Sequence, residues 1–251
     1  MSLDTMLPKN AEMGSRPIVE MYLINGIMVV KRSVVAGWKV GRLGIRQVQR
    51  MVSYLVAHAD RAIHWEVLAT IGSRTFDPYA LAKPRNLTAG IRHLFRQWEI
   101  EEALYEANGY FTLRRNTCWI SDTDRIEKHD RAATEAASAG DAEQTLAHLQ
   151  QAGSLCNGPY LPNYDVPEYS LAHLQQHWQV YQRDVLHRLA RIALQRSAYN
   201  VALSAAQQTF KLGISEASDC DLMAECYTAL GHMNSADYYR RKAASKRRNS
   251  R

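Results

Sequence analysis

Apolar residues recur along this chain in two rhythms. From Val19 to Leu23 and from Ile27 to Arg32 they run or alternate around Asn25-Gly26, which predicts an opening antiparallel hairpin. The spacing then becomes helical from Ile45 to about His58, with Val48, Val52, Leu55 and Val56 on one stripe. Glu66–Gly72 reads as a short second helix stopped by its glycine. The segment 73–83 holds Asp77-Pro78 and reads as an exposed loop, and Pro84 suits the first turn of a third helix. In that helix Leu87, Ile91, Leu94 and Trp98 share one face. Arg85, Thr88, Arg92 and Arg96 populate the other, with no carboxylate before Glu99. Asn108-Gly109, followed by Tyr110–Leu113, marks a second hairpin. Gly90 lies mid-helix at a cost of about 1 kcal/mol relative to alanine; drift and clearance for an approaching partner explain it equally.

Beyond residue 126 the pattern is helical to the end, and it repeats. Ser197 to Ala202 and Gly231 to Ala236 both fit a small residue followed five positions later by alanine, 34 residues apart. That is the tetratricopeptide period, in which the small residue ends one helix and the alanine lets the next pack closely. Gly140–Thr145 is a looser third copy, and at least three such repeats must stack to bury their faces. Gly158-Pro159, Leu161-Pro162 and Val166-Pro167 interrupt the helices as a loop over 157–168. The expected division is a disordered 1–16, a first domain over 17–116, a second over 117–245 and a basic tail over 246–251, which reads as disordered or as a frayed helix end.

Charge changes the picture once it is divided along the chain. Residues 1–115 hold 16 Lys/Arg against 10 Asp/Glu, and 240–251 hold seven basic residues and no acid. The intervening 116–239 carry 8 against 15. A basic first half that coincides with a basic helix face suits a polyanion partner. Cys118, Cys156, Cys220 and Cys226 show no Cys-x-x-Cys spacing and are expected to be reduced, buried and cytoplasmic. No apolar run approaches a membrane span, so no membrane association is expected. His173 and His177 stand at i, i+4, but no third ligand accompanies them, and neither a metal nor a cofactor is expected. Phosphate-binding glycine motifs and the Gly-x-Ser-x-Gly elbow are absent, and an enzyme is not expected.

A basic helix followed at once by a hairpin is the working end of a winged helix-turn-helix, whose helix enters the DNA major groove. Residues 85–98 with Asn108-Gly109-Tyr110 resemble the recognition helix and wing of the OmpR-type family, including its four-strand opening. Residues 119–126, Trp-Ile-Ser-Asp-Thr-Asp-Arg-Ile, are similar to the strand that joins such a winged helix to a bacterial transcriptional activator domain. The whole chain therefore resembles the Streptomyces antibiotic regulatory protein type. The expected fold is an α+β winged helix-turn-helix domain followed by an all-α TPR-like helical-repeat domain.

The resemblance implies a sequence-specific transcriptional activator whose partners are double-stranded DNA, RNA polymerase and a second copy of itself as a homo-oligomer. It places Arg85 and Asn86 near phosphates and Arg92 and His93 nearer base edges, with Thr88, Arg96 and Asn108 as further DNA contacts. Arg85, Thr88 and Arg92 share a helical face on geometry alone. Arg114 and Arg115 either contact phosphate or are solvated strand ends. The loop carrying Arg74, Phe76, Asp77 and Tyr79 is the implied polymerase contact. Where the family often has a basic residue ahead of the Gly-Tyr pair this chain has Glu106, expected at or beside the hairpin tip, where it would repel phosphate. The alternative function is a helical-repeat adaptor whose winged helix no longer binds DNA.

Overall fold

The backbone at Asn108 and Gly109 is left-handed, with φ of 50° and 79°, so the second hairpin turns where the sequence places it. This computed structural model describes residues 18–38, 45–73, 84–162, 164, 169–213 and 215–249. The stretch 1–16 and the loop residues Arg74, Phe76, Asp77 and Tyr79 lie outside the described residues. The chain divides into two compact units: 28–120 together with the N-terminal residues through Met21, and 121–251 together with Tyr22–Ile27.

In the first unit strands β1 (Val19–Tyr22), β2 (Met28–Lys31) and β3 (Val34–Val35) are followed by helix α1 (Ile45–Ala57). Strand β4 (Ile63–His64) leads into α2 (Trp65–Ser73), and α3 (Pro84–Gln97) precedes the hairpin of β5 (Leu104–Ala107) and β6 (Tyr110–Leu113). Strand β7 (Trp119–Ser121) closes the unit. Two sheets result, ordered β3-β2-β1-β7 and β4-β6-β5. Four strands do share the first sheet, but only three open the chain among the described residues; the fourth arrives after the wing. The opening connection also differs from a tight hairpin turn. Five residues separate β1 from β2, and they belong to the second unit. Asn25 and Gly26 do take positive φ within that connection, and β1 and β2 are neighbours in the sheet. A second, tighter turn lies at Arg32 and Ser33, both at positive φ, between Lys31 and its partner Val34. Neither Arg32 nor Ser33 is one of the Asn, Asp or Gly types that favour positive φ at a two-residue turn.

The helical stripes read from the sequence are buried. Val48, Met51, Val52 and Leu55 of α1 meet a core with Leu68 and Ile71 of α2 and Ile91, Leu94 and Phe95 of α3. Trp98 follows α3, is 1% exposed, and sets its ring edge-on to Trp38 at 5.1 Å. Lys31 donates to the Gln97 carbonyl and to Glu99, each at 2.8 Å, which ties the end of α3 to β2.

The second unit consists, among the described residues, of helices α4 (Asp122–Ser138), α5 (Ala142–Leu155), α6 (Ala172–Gln195), α7 (Tyr199–Thr209), α8 (Ala217–Ala229) and α9 (Met233–Asn249). They pack as α4 on α5, α6 on α7 and α8 on α9, with α5 against α6 and α7 against α8. Gly140, Ser197 and Gly231 each take positive φ between paired helices, the conformation that lets a chain leave a helix sharply. Ala202 and Ala236 are fully buried on α7 and α9, as is most of Thr145 on α5. The α+β winged-helix unit followed by an all-helical unit is the expected fold class.

The segment Tyr22–Ile27 is held in this second unit. Asp122 accepts from the Leu23 and Ile24 amides at 2.9 and 2.8 Å. Asn25 donates to the Pro159 carbonyl, and Leu161 donates to the Leu23 carbonyl. A Cβ on Gly158 would fall 2.9 Å from the Asn25 Cβ, so the approach requires glycine there. Cys156, Cys220 and Cys226 are buried, while Cys118 is half-buried and donates to Glu102 at 2.8 Å. No helix among the described residues is long and apolar enough to cross a membrane.

Candidate nucleic-acid interface

Helix α3 buries one face and exposes the other. Ile91, Leu94 and Phe95 are inside, and Arg92, His93, Arg96 and Gln97 are exposed. Because residues 92 and 96 are four apart, both arginines project from one strip of the outer face. The side chains of Arg85, Asn86 and Thr88 lie outside the described residues, so the candidate contacts of the first helical turn are not placed.

The hairpin's second strand alternates between buried and more exposed positions. Glu106 stands opposite Phe111, and Leu104 opposite Leu113; Phe111 and Leu113 are fully buried. Directly opposed residues share a face of a sheet, so Glu106 sits on the inward side of the hairpin. Tyr105, one position away, is on the outward side and carries the Arg114 guanidinium 4.1 Å above its ring. The turn itself is docked, because the Trp65 amide donates to the Gly109 carbonyl at 2.9 Å. Asn108 forms the first half of that turn at positive φ.

The expectation for Glu106 is corrected by this geometry. It is neither at the hairpin tip nor directed away from the protein. Its Oε2 lies 2.5 Å from Arg92 Nη2, with the two side chains 24% and 47% exposed. The contact is an ion pair rather than a well-aligned hydrogen bond. The parity that turns Leu104 inward carries Glu106 inward with it.

The remaining described arginines of the candidate set are partnered within the same unit. Arg96 donates from Nε and Nη2 to both oxygens of Glu101, at 2.8 and 2.7 Å. That bidentate bond, with the added charges of Arg96 and Arg92, holds the Glu101 carboxyl below its usual range despite some desolvation. Arg115 binds Asp60 through its amide at 2.9 Å and its guanidinium at 3.0 Å. Burial works to raise the Asp60 carboxyl, but the bonds from Arg115 outweigh it and leave it low. His93 Nε2 lies 2.9 Å from the Gln97 amide nitrogen. Sequence reasoning singled out the cations, took Glu101 only as an acid just past the helix that favours the adaptor reading, and missed Asp60 and Tyr105. Among the described residues no three His, Cys, Asp or Glu side chains converge as a metal site would require, and His177 stacks on Tyr181 at 6.0 Å.

The class this architecture defines is a winged helix-turn-helix unit joined to an all-helical unit. Among solved structures the chain is similar to Mycobacterium tuberculosis EmbR in complex with a low-affinity phosphopeptide, with a TM-score of 0.69 at 16% identity. That likeness covers 90% of this chain and 59% of the EmbR chain, so the protein spans well under two thirds of the neighbour's length. At such an identity the likeness speaks for the fold. No family model and no curated protein sequence matches the chain.

Proposed function

We propose that the protein is a sequence-specific DNA-binding transcriptional regulator, an activator of the Streptomyces antibiotic regulatory protein type. Its winged helix, over 17–116, reads duplex DNA through α3. Its tetratricopeptide-like domain, over 117–245, mediates self-association or binding of a partner or effector. The carrying observation is the exposed strip of Arg92, His93 and Arg96 on a helix whose other face is fully committed to the core, with a docked hairpin beside it. Such a helix can enter a major groove without giving up any packing. The fold-level likeness to EmbR is in keeping with this reading. The loop bearing Arg74, Phe76, Asp77 and Tyr79 is proposed as the RNA polymerase contact on the resemblance of the winged helix alone.

Binding of the full chain to duplex DNA across a salt series tests the proposal. Neutralising roughly four to six phosphates per protomer gives a slope of log K against log[salt] of about −4 to −5. A slope near zero, or no binding at low salt, favours the second reading, a protein-binding adaptor. The observation on that side is that Arg92, Arg96 and Arg115 already have carboxylate partners.

A further inference from the structure

The two arginines on the outer strip of α3 are not held alike. Arg96 spends Nε and Nη2, one whole edge of its guanidinium, on Glu101. Among the described residues Arg92 is engaged through Nη2, by a single oxygen of Glu106. A guanidinium has five N–H donors in a rigid planar fork. An ion pair to one nitrogen restrains where the Arg92 guanidinium lies and leaves its other donors available. The anchor is itself well fixed. Glu106 is on a strand paired residue by residue with β6, opposite fully buried Phe111, and the turn beyond it is bonded to the start of α2.

The ion pair has a second consequence. Glu106 and Glu101 cancel the charge of Arg92 and Arg96, so this strip offers little net attraction to phosphate. Phosphate attraction supplies essentially all non-specific binding, whereas a positioned guanidinium forms a bidentate contact with guanine O6 and N7. A neutralised but oriented arginine thus discounts random duplex while preserving the base contact, a gain in specificity made partly by weakening the wrong complexes.

We propose that Glu106 is a positioning and specificity-determining residue. From the wing it orients Arg92 on the recognition helix to read one guanine, and its charge suppresses binding to other sequences. This rests on the DNA-binding reading above. Glu106 itself touches no base; it acts through Arg92.

The experiment is selection of duplexes from a randomised library by the full chain. Affinities follow for the selected duplex, for its single base-pair variants and for random duplex, each over a salt series. Arg92→Ala is expected to erase a preference of about tenfold at one guanine. Glu106→Gln, nearly isosteric, is expected to erase most of the preference at that same base pair. It should also tighten random-duplex binding and steepen its salt slope by about one unit. The double variant should discriminate no less than Arg92→Ala alone. Glu106→Asp keeps the charge but shortens the arm, so it should retain the parent salt slope and lose part of the preference. The proposal is overturned if Glu106→Gln keeps the preference that Arg92→Ala loses, or if it tightens every duplex by the same factor. If the unsubstituted chain enriches no sequence, the DNA-binding reading itself falls, a result visible before any variant is made.

Discussion

Asp122 shows how much one side chain can depend on a distant segment. It is the first residue of α4 and is 3% exposed. Its carboxylate accepts from the Leu23, Ile24 and Thr123 amides. Burial pushes its carboxyl up to about 6, against the pull of those backbone bonds. The folded protein therefore holds a proton that the unfolded chain releases near the ordinary value of 3.8. The stabilisation is complete below about pH 4 and is lost as pH rises through about 6, roughly 3 kcal/mol in all for a shift of about two units. Urea unfolding of the parent and of Asp122→Asn between pH 4 and 7.5 measures it. The stability difference, parent minus variant, should fall across this window, and a difference independent of pH would contradict the assignment. In the sequence Asp122 is one acid in a joining strand; its partners 98 and 99 residues away are not foreshadowed.

At the scale of elements, most of the architecture was legible because helices and tight turns are written in short-range patterns. The stripe of α1, the amphipathic α3 and the Asn108-Gly109 turn are read from spacings of two to four residues, and the folded chain obeys them. The turn at Arg32-Ser33 was not legible. Residues there are left-handed at a local cost and are held from outside: Glu99 pairs with Arg32, and the Arg32 amide donates to the Ile18 carbonyl. The paired helices carry a prediction of their own. Ala202 and Ala236 leave no exposed surface, so a larger side chain has nowhere to go. Ala202→Leu and Ala236→Leu should each destabilise the protein by about 1–3 kcal/mol, read as a lowered melting temperature. Unchanged melting in both would mean that these alanines do not sit at close helix contacts, and would remove the physical basis of the repeat reading.

For the whole molecule, charge counted by residue number overstates what is available to a polyanion. The basic run 240–251 is partly consumed within the second unit. Arg247 pairs with Asp221, Arg240 with Asp237 and the Thr228 hydroxyl, and Lys246 with the Ser215 carbonyl. The acidic middle of the chain supplies the two carboxylates. Replacing Arg240 and Arg247 together by Gln should therefore change the salt slope of DNA binding by less than about one unit, since counterion release counts only cations that reach phosphate. A loss of two units would place the tail on the DNA.

The sequence by itself determined the order of the helices and the wing hairpin, the fold class, and which faces of α1 and α3 are buried, because periodicity and turn chemistry act over a few residues. It also marked Arg92, Arg96 and Glu106 as the residues to watch. Only the tertiary structure decided what they do to one another. Strand parity turns Glu106 inward, the end of α3 brings Arg96 to Glu101, and Leu23, Ile24 and Asn25 are bonded to Asp122 and Pro159. Each pairing joins groups on different elements, where position follows from packing and register rather than from spacing along the chain. A carboxylate that looked like an obstacle to DNA when read in sequence is, in the fold, the ion-pair partner of Arg92.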